Sequence, residues 1–286
     1  MEYLLTSWRP VVMPITIMLF ALLIFSIVKL RYNRALAEKL CYYILGFTFI
    51  YKFFHYVIYC LVLKHGWNAQ IPVEISQIAY FICPLAFFTR NKWIRDGGAF
   101  IGILAGLMQM IAITVAPDRF ARTGLGLFQF LESTVVHYFV LWGGLVQVCC
   151  IEKLRWKRLW IAYLDLLIVL LWGVLASYTW MFGTDYGHPN EPANIGFTQR
   201  ADMLPESLLQ KVPWLAEGHW FLIPYISIFL VFTAIVYAIS NWSMNNVPYQ
   251  EPSIYGLGFR GFRDFMTSND VAKAFDKQIE DKVEDK

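Results

Sequence analysis

Long apolar stretches separated by short polar segments dominate this chain. Seven of them are long enough to cross a hydrocarbon core of roughly 30 Å as helices that rise about 1.5 Å per residue. They lie near residues 11–30, 41–63, 71–89, 97–116, 126–150, 159–182 and 220–240. The pattern predicts an all-α, polytopic membrane protein whose residues 1–245 form a bundle of seven transmembrane helices.

Composition supports this reading and excludes a soluble domain. The 286 residues are 58% hydrophobic and 16% charged, whereas average soluble chains carry about 25% charged residues. The five cysteines all fall inside predicted spans without CxxC spacing, so neither a disulfide framework nor a zinc site is indicated. We expect no cofactor, no metal and no nucleic-acid partner.

Positive residues lie mainly on one side of the predicted bundle. The loops after the first, third and fifth spans hold Lys29, Arg31, Arg34, Lys39, Arg90, Lys92, Arg95, Lys153, Arg155, Lys157 and Arg158. The short segments on the opposite side hold only Arg9, Lys64, Arg119 and Arg122. By the positive-inside rule, the N-terminus is predicted outside and the C-terminus in the cytoplasm. Residues 183–219 then form an outer loop, and residues 246–286 form a cytoplasmic juxtamembrane segment with a tail.

The tail from Ser268 has a helical pattern. Its apolar residues recur every four positions, at Val271, Phe275, Ile279 and Val283. The other positions are mostly Asp, Glu and Lys, which is typical of an amphipathic helix. Such a helix either stays solvated or docks on a partner or on the membrane surface. Residues 268–286 are therefore the candidate contact for protein partners.

A small set of polar residues inside the spans marks the candidate site. Each ionisable group there costs about 2.5 to 3.5 kcal/mol on insertion scales and is a functional candidate by default. The ionisable members are Lys52, His55, Glu74, Glu132, His137 and Asp165, with Gln77, Gln109, Gln129 and Gln147 as neutral company. Counted from the span ends, most of the candidates converge on the outer half of the bundle, whereas Asp165 lies on the cytoplasmic side.

Glu74 and His137 are the most informative pair. If they meet, they form an ion pair or a proton-sharing dyad, in which His137 is a general base and Glu74 orients it or binds a substrate cation. Ser133, four residues before His137 on one helix face, or Ser76 can supply a hydroxyl. The alternative is that the pair only locks helices together, and Gln109 suits either role by hydrogen bonding across the interface.

The segment 183–192, GTDYGHPNEP, opens the outer loop with turn-forming residues. Asp185, His188 and Glu191 match no defined metal-binding loop, so we expect a structured lid over the outer cavity rather than a metal site. The candidate substrate-binding residues are His55, Ser76, Ser133, Asp185 and Tyr186.

Several segments together resemble the YwaF-type integral membrane family, a seven-span group found chiefly in bacteria whose distant animal relatives include a transmembrane lipid acyltransferase. The resemblance runs from about Tyr51 to Ile239. It is carried by IPVEIS (71–76), FFTRNKW (87–93), IGILAGLMQMIAITVAPD (101–118), FLESTVVHYFVL (130–141) and FGTDYG (182–187). His137 and Gln109 match the histidine and the glutamine of that family in the fifth and fourth spans.

The resemblance has departures that matter for chemistry. Glu74 stands where the family usually has His, and Ser76 stands where Cys is common. The animal acyltransferases use a Cys next to that histidine, a place that Val73 and Glu74 fill here, so a Cys-based acyl-enzyme is not supported. The remaining Glu, His and Gln cluster is compatible with binding a lipid headgroup, with different acid-base chemistry, or with a site that has lost catalysis.

These observations predict a multi-pass protein of the bacterial plasma membrane with an outward-leaning polar pocket for a lipid or amphiphile. Acyl transfer or hydrolysis there would use His137 as base, Glu74 as its partner and Gln109 as donor to an oxyanion. The alternative is a non-catalytic accessory or structural subunit of a larger membrane complex, favoured by the altered motif and the amphipathic tail. Transport would favour broken helices in paired halves, and the sequence shows no such symmetry.

Overall fold

The computed structural model of the chain describes residues 9–61, 72, 74–89, 91–115, 127–179, 206–217 and 219–246. Every regular element within these ranges is a helix. The helices are α1 (Arg9–Leu30), α2 (Arg34–Leu61), α3 (Ile75–Thr89), α4 (Lys92–Val115), α5 (Leu127–Val146), α6 (Leu159–Thr179), α7 (Glu206–Lys211) and α8 (Leu222–Asn245). The all-α prediction is confirmed for the described part of the chain.

Six of these helices, α1, α2, α4, α5, α6 and α8, are long and apolar enough to cross a membrane. The protein is therefore an integral, multi-pass membrane protein with six candidate spans in its described ranges. Helix α3 has 15 residues, fewer than the roughly 20 that a span usually needs. The apolar stretch predicted to begin at residue 71 becomes helical only at Ile75, since Pro72 precedes it. The seven-span count and the orientation stay predictions.

Asparagine side chains set the starts of two helices. The Asn33 side-chain oxygen accepts a hydrogen bond from the Leu36 N–H at 3.0 Å, and that of Asn91 accepts one from the Trp93 N–H at 3.0 Å. These are N-cap contacts, which satisfy backbone donors that a helix start leaves unpaired. The cap at Asn91 also separates α3 from α4 by only residues 90–91, so these two helices are close neighbours.

Helices α4 and α5 form the centre of the bundle. The buried share of the membrane-spanning stretch is 83% in α5 and 67% in α4, but 17% in α1 and 22% in α2. Glycines permit the close approach: a Cβ at Gly102 would lie 2.6 Å from the Cys83 sulfur, and one at Gly106 would lie 2.5 Å from the His137 carbonyl oxygen. Small residues let helix backbones meet in this way in membranes. His137 of α5 therefore lies inside the bundle.

Helix α5 ends in a π-helical segment, Gln147–Ile151, that α8 holds in place. The Ser240 hydroxyl donates to the Val148 carbonyl at 2.5 Å and accepts from the Leu154 N–H at 2.9 Å. The Asn241 side chain donates to the Leu154 carbonyl at 2.8 Å. Since a π-helical ending leaves backbone groups without regular partners, these contacts fasten α8 to the centre of the bundle.

Candidate functional site

Two clusters of buried polar side chains lie inside the bundle. The His137 cluster comprises Lys52 of α2, Tyr80 of α3, and Glu132, Ser133 and His137 of α5. The Asp96 cluster comprises Arg95 and Asp96 of α4, Glu152 after the π-helical segment, and Arg158 just before α6. Gly106, which meets the His137 backbone, lies ten residues beyond Asp96, or roughly 15 Å along α4. The clusters therefore occupy different levels of the bundle.

An ion pair joins two of the candidate residues, Lys52 and Glu132. The Lys52 Nζ lies 2.7 Å from a Glu132 carboxylate oxygen, and the two side chains are 8% and 15% exposed. The same Nζ lies 4.8 Å from the centre of the Tyr80 ring and 5.7 Å from that of Tyr51, within the range of cation–π attraction. Pairing explains how two charges are tolerated inside apolar helices, and it connects α2 to both α3 and α5.

His137 is buried, with 5% of its surface exposed, and it contacts two helices. The Tyr80 hydroxyl of α3 lies 2.9 Å from His137 Nδ1 and 3.0 Å from Nε2. On its own helix, Nδ1 lies 2.7 Å from the Ser133 carbonyl oxygen and 3.3 Å from the Ser133 hydroxyl. A helical side chain leans over the preceding turn, which brings the ring onto residue 133.

The structure does not bring Glu74 and His137 together. The Glu74 carboxylate accepts a hydrogen bond from the Ser76 hydroxyl at 3.5 Å, and the Glu74 N–H donates to the Gln77 side chain at 3.3 Å. No hydrogen bond or ion pair joins Glu74 to His137, both of which lie in the described part of the chain. The expectation of a Glu74–His137 dyad is therefore wrong, and Ser76 contacts Glu74 rather than the imidazole.

The way in which α3 is held explains why Glu74 does not meet His137. Its leading segment is tied to α6, because the Trp172 indole N–H donates to the Pro72 carbonyl at 2.9 Å. Tyr80 lies six residues beyond Glu74, roughly 9 Å further along the helix, and it occupies the position beside His137. The imidazole therefore meets Tyr80 and not Glu74.

The remaining candidates lie around the cluster. Gln109 is half-buried on α4, one turn beyond Gly106, and makes no hydrogen bond with any described residue. His55 is half-buried on α2, three residues after Lys52, with its ring 5.9 Å from that of Tyr51. It lines a groove of about 430 Å³ along the surface of α2. The other residues of this α2 groove are Phe47, Ile50, Tyr51, Phe54 and Ile58.

Some predictions fall outside the described residues. Asp185 and Tyr186 lie there, as do most of the predicted lid and the tail 268–286. The described end of the predicted outer loop contains α7 and a short 3-10 helix, Pro213–Ala216. Leu215 is buried there, while Trp214 is 51% exposed.

Sequence reasoning missed Tyr80, and it allowed Lys52 to neutralise a carboxylate without naming Glu132 as the partner. Aromatic residues are common near span ends, where amphipathic rings suit the headgroup layer, so a tyrosine draws little notice. Tyr80, however, lies inside the apolar stretch, and a buried tyrosine hydroxyl usually needs a hydrogen-bond partner. The need of a buried tyrosine hydroxyl for a partner is the feature of the sequence that could have indicated Tyr80.

The Asp96 cluster is denser in charge. Asp96 is fully buried, and one of its carboxylate oxygens accepts from Arg95 Nε at 2.9 Å and Nη2 at 2.7 Å. Arg158 Nε lies 3.2 Å from the other oxygen, and Arg95 also pairs with Glu152. Asp165 lies beside this cluster, against Gly97, and not beside His137. Within the described ranges, no group of three or more His, Cys, Asp or Glu residues is arranged to hold a metal ion.

The fold and its buried clusters thus define a multi-pass integral membrane protein with a polar site between its central helices. The chain matches the TMEM164 family over residues 4–237. This match covers most of the chain, which therefore belongs to the TMEM164 family. No curated protein matches the chain, and no solved structure matches it.

Proposed function

We propose that this protein binds a membrane lipid or a related amphiphile at the His137 cluster, and that the cluster supports acyl transfer or hydrolysis. The observation that carries the proposal is the buried Lys52–Glu132 ion pair beside the Tyr80–His137 hydrogen bond. Apolar side chains of similar volume often stabilise a core as well as a buried ion pair does. Charged and titratable groups that persist inside a membrane bundle are therefore candidates for function.

The α2 groove offers a place for the apolar part of such a ligand. Phe47 and Phe54 line it and are each 56% exposed, so they face the acyl-chain region when the helix crosses a bilayer. His55 also lines the groove and lies one turn from Lys52, which links the groove to the cluster. A ligand chain along α2 would bring its polar end to this link.

In this proposal, His137 is the general base. Glu74 lies apart from His137 and would bind a cationic part of the substrate, while the Gln109 carboxamide would donate to an oxyanion. Asp185 and Tyr186 remain proposed substrate contacts of a lid, together with His55, Ser76 and Ser133. The residues that replace the family's cysteine give no support to a thioester intermediate.

The resemblance to the YwaF-type family supports further parts of the proposal. It favours the bacterial plasma membrane as the location and seven spans as the full count. The distribution of Lys and Arg favours an outer N-terminus, which would turn the His137 cluster toward the outer leaflet.

Lipid retention tests the proposal directly. The full chain would be purified in mild detergent, and its bound lipids would be counted by native mass spectrometry. We expect Phe54→Ala to weaken retention roughly tenfold, as loss of an apolar contact worth about 1.4 kcal/mol would do. Phe25→Ala is the matched control, because Phe25 is equally exposed, at 59%, on α1.

Catalysis is tested with the same preparation and ester lipids as substrates. His137→Gln is expected to abolish product formation while the bound lipid stays in place. If neither Phe54→Ala nor His137→Gln changes the retained lipids or the products, the proposed site is wrong. Loss of a co-purifying protein on deletion of residues 268–286 would then favour the subunit alternative.

A further inference from the structure

The Tyr80 hydroxyl lies within reach of both ring nitrogens of His137, at 2.9 Å from Nδ1 and 3.0 Å from Nε2, and the backbone contact of Nδ1 decides which of them can accept its proton. Nδ1 is 2.7 Å from the Ser133 carbonyl oxygen, an atom that can only accept hydrogen bonds. In a neutral imidazole, Nδ1 must then carry the proton, which leaves Nε2 as the acceptor. The Tyr80 hydroxyl, 3.0 Å from Nε2, is the donor to that nitrogen.

The same geometry excludes Ser133 as the hydroxyl that His137 activates. Ser133 Oγ lies 3.3 Å from Nδ1, the nitrogen that already carries a proton. A protonated nitrogen donates to an oxygen and cannot remove a proton from it. The spacing of Ser133 and His137 on one helix face suits a nucleophile and its base. However, such a pair would need an unprotonated Nδ1, and Nδ1 holds its proton in the hydrogen bond to the Ser133 carbonyl.

The surroundings of Tyr80 prepare it for a role in proton transfer. Tyr80 is 4% exposed, so bulk water does not compete for its hydroxyl. The Lys52 ammonium lies 4.8 Å from the centre of its ring and is held there by Glu132 at 2.7 Å. This cation–π contact fixes the position of the ring and of its hydroxyl.

We infer that Tyr80 relays protons between His137 and the hydroxyl of an acyl acceptor, an inference that rests on the proposed function. The acceptor hydroxyl gives its proton to the Tyr80 oxygen as Tyr80 gives its own proton to Nε2. The acceptor oxygen attacks the acyl carbon of the donor ester, and the tetrahedral intermediate collapses. The departing oxygen recovers the proton from Nε2 through Tyr80. One C–O bond forms, one breaks, and no electrons are gained or lost.

The acceptor class follows from this relay. A hydroxyl can both donate to Tyr80 and attack the ester, so the acceptor is a lipid alcohol or water. The first would give acyl transfer and the second hydrolysis. Both pass through Tyr80, and product analysis distinguishes them by the presence of an acylated alcohol or of a free fatty acid.

Nitrogen NMR tests the hydrogen bond independently of any reaction. The full chain labelled with 15N-histidine would be measured in nanodiscs, and the His137 signals would be those missing from His137→Gln. We expect one protonated nitrogen, Nδ1, and one unprotonated nitrogen, Nε2. Tyr80→Phe should shift the Nε2 signal and leave Nδ1 protonated. Ser133→Ala, which keeps the backbone carbonyl, should leave both signals in place.

Three NMR outcomes would overturn the inference: a proton on Nε2 alone, a doubly protonated ring, or an Nε2 signal that Tyr80→Phe does not move. The kinetic arm tests the relay itself, since Tyr80→Phe should lower product formation by about 10²- to 10⁴-fold. Full activity in Tyr80→Phe would contradict the relay even with the expected NMR result. Absence of any product from the unmodified protein would contradict the proposed function, while the NMR result would still decide the Tyr80–His137 bond.

Discussion

The two buried polar clusters are built in opposite ways. In the Asp96 cluster, a fully buried carboxylate lies between Arg95 and Arg158, and Arg95 also reaches Glu152. Each charged group of this cluster is thus paired with another charged group of the protein. The His137 cluster joins a single ion pair to neutral groups, a tyrosine and an imidazole, drawn from three helices distant in sequence.

This difference indicates that the Asp96 cluster stabilises the fold, whereas the His137 cluster is a candidate ligand site. The Asp96 cluster joins the start of α4 to the end of the π-helical segment and to the approach to α6, so it holds three helix ends together. The His137 cluster lies against the middle of α4 and adjoins the α2 groove. Titratable groups beside a groove suit a ligand, whereas carboxylates and guanidinium groups that pair with one another between helix ends suit stability.

The largest effect is expected from Asp96→Ala. It would leave Arg158 without its carboxylate partner and Arg95 with Glu152 alone, and loss of one partner from a buried pair destabilises a protein by about 3–5 kcal/mol. The midpoint of thermal unfolding in detergent would report this loss. Glu152→Gln is the control: Glu152 is 38% exposed, so its loss should matter by less than about 1 kcal/mol. Similar midpoints for both variants would contradict a central role for Asp96.

A smaller effect is expected when the ion pair of the His137 cluster is broken. Lys52→Met leaves Glu132 unpaired, and we expect a loss of about 2–3 kcal/mol, because Glu132 keeps 15% exposure. The double variant Lys52→Met with Glu132→Met should recover to within about 1 kcal/mol, since apolar side chains replace both charges. A double-mutant cycle on unfolding midpoints measures the coupling.

The double variant also tests whether the Lys52–Glu132 pair has a role beyond stability. If the pair serves a ligand rather than the fold, lipid retention and product formation should stay lost although stability returns. If the double variant recovers both stability and function, the Lys52–Glu132 pair only stabilises the fold, as the Asp96 cluster does.

The sequence predicts the architecture well, because membrane burial leaves strong signals. Apolar stretches of about 20 residues and basic loops are local features, and they indicate the order and approximate position of the membrane-spanning helices. The exception is α3, where Pro72 and the turn before Ile75 shorten the predicted span. The apolar pattern alone does not show where within that stretch the helix begins.

The site was predicted only in part. His137, Lys52 and Glu132 stand out because charges inside apolar spans are rare, but their partners depend on how each helix is rotated about its axis. Six residues, roughly 9 Å along α3, separate Glu74 from Tyr80, and Glu74 lies near the end of α3 that Trp172 holds through Pro72. Tyr80 therefore emerged only from the three-dimensional arrangement.

The smallest expected effect concerns the close contact of α4 with α5. A Cβ at Gly106 would lie 2.5 Å from the His137 carbonyl oxygen and 2.5 Å from the Leu141 Cβ. Because these atoms belong to or adjoin the α5 backbone, Gly106→Ala must push the helices apart, at about 1–3 kcal/mol. Thermal unfolding in detergent measures this, and the 15N signals of His137 should shift with it.

Gly46→Ala on α2 is the matched control for Gly106→Ala. Its new Cβ would meet only the end of the Phe88 ring, at an ordinary 3.5 Å. Alanine is the better helix former by about 0.5–1 kcal/mol, so this variant should be as stable as the unmodified protein or more so. Equal stability of the two variants would mean that α5 yields easily at His137. The position of His137 Nε2 relative to Tyr80 would then change at little cost in stability. The two clusters would in that case differ in flexibility as well as in charge.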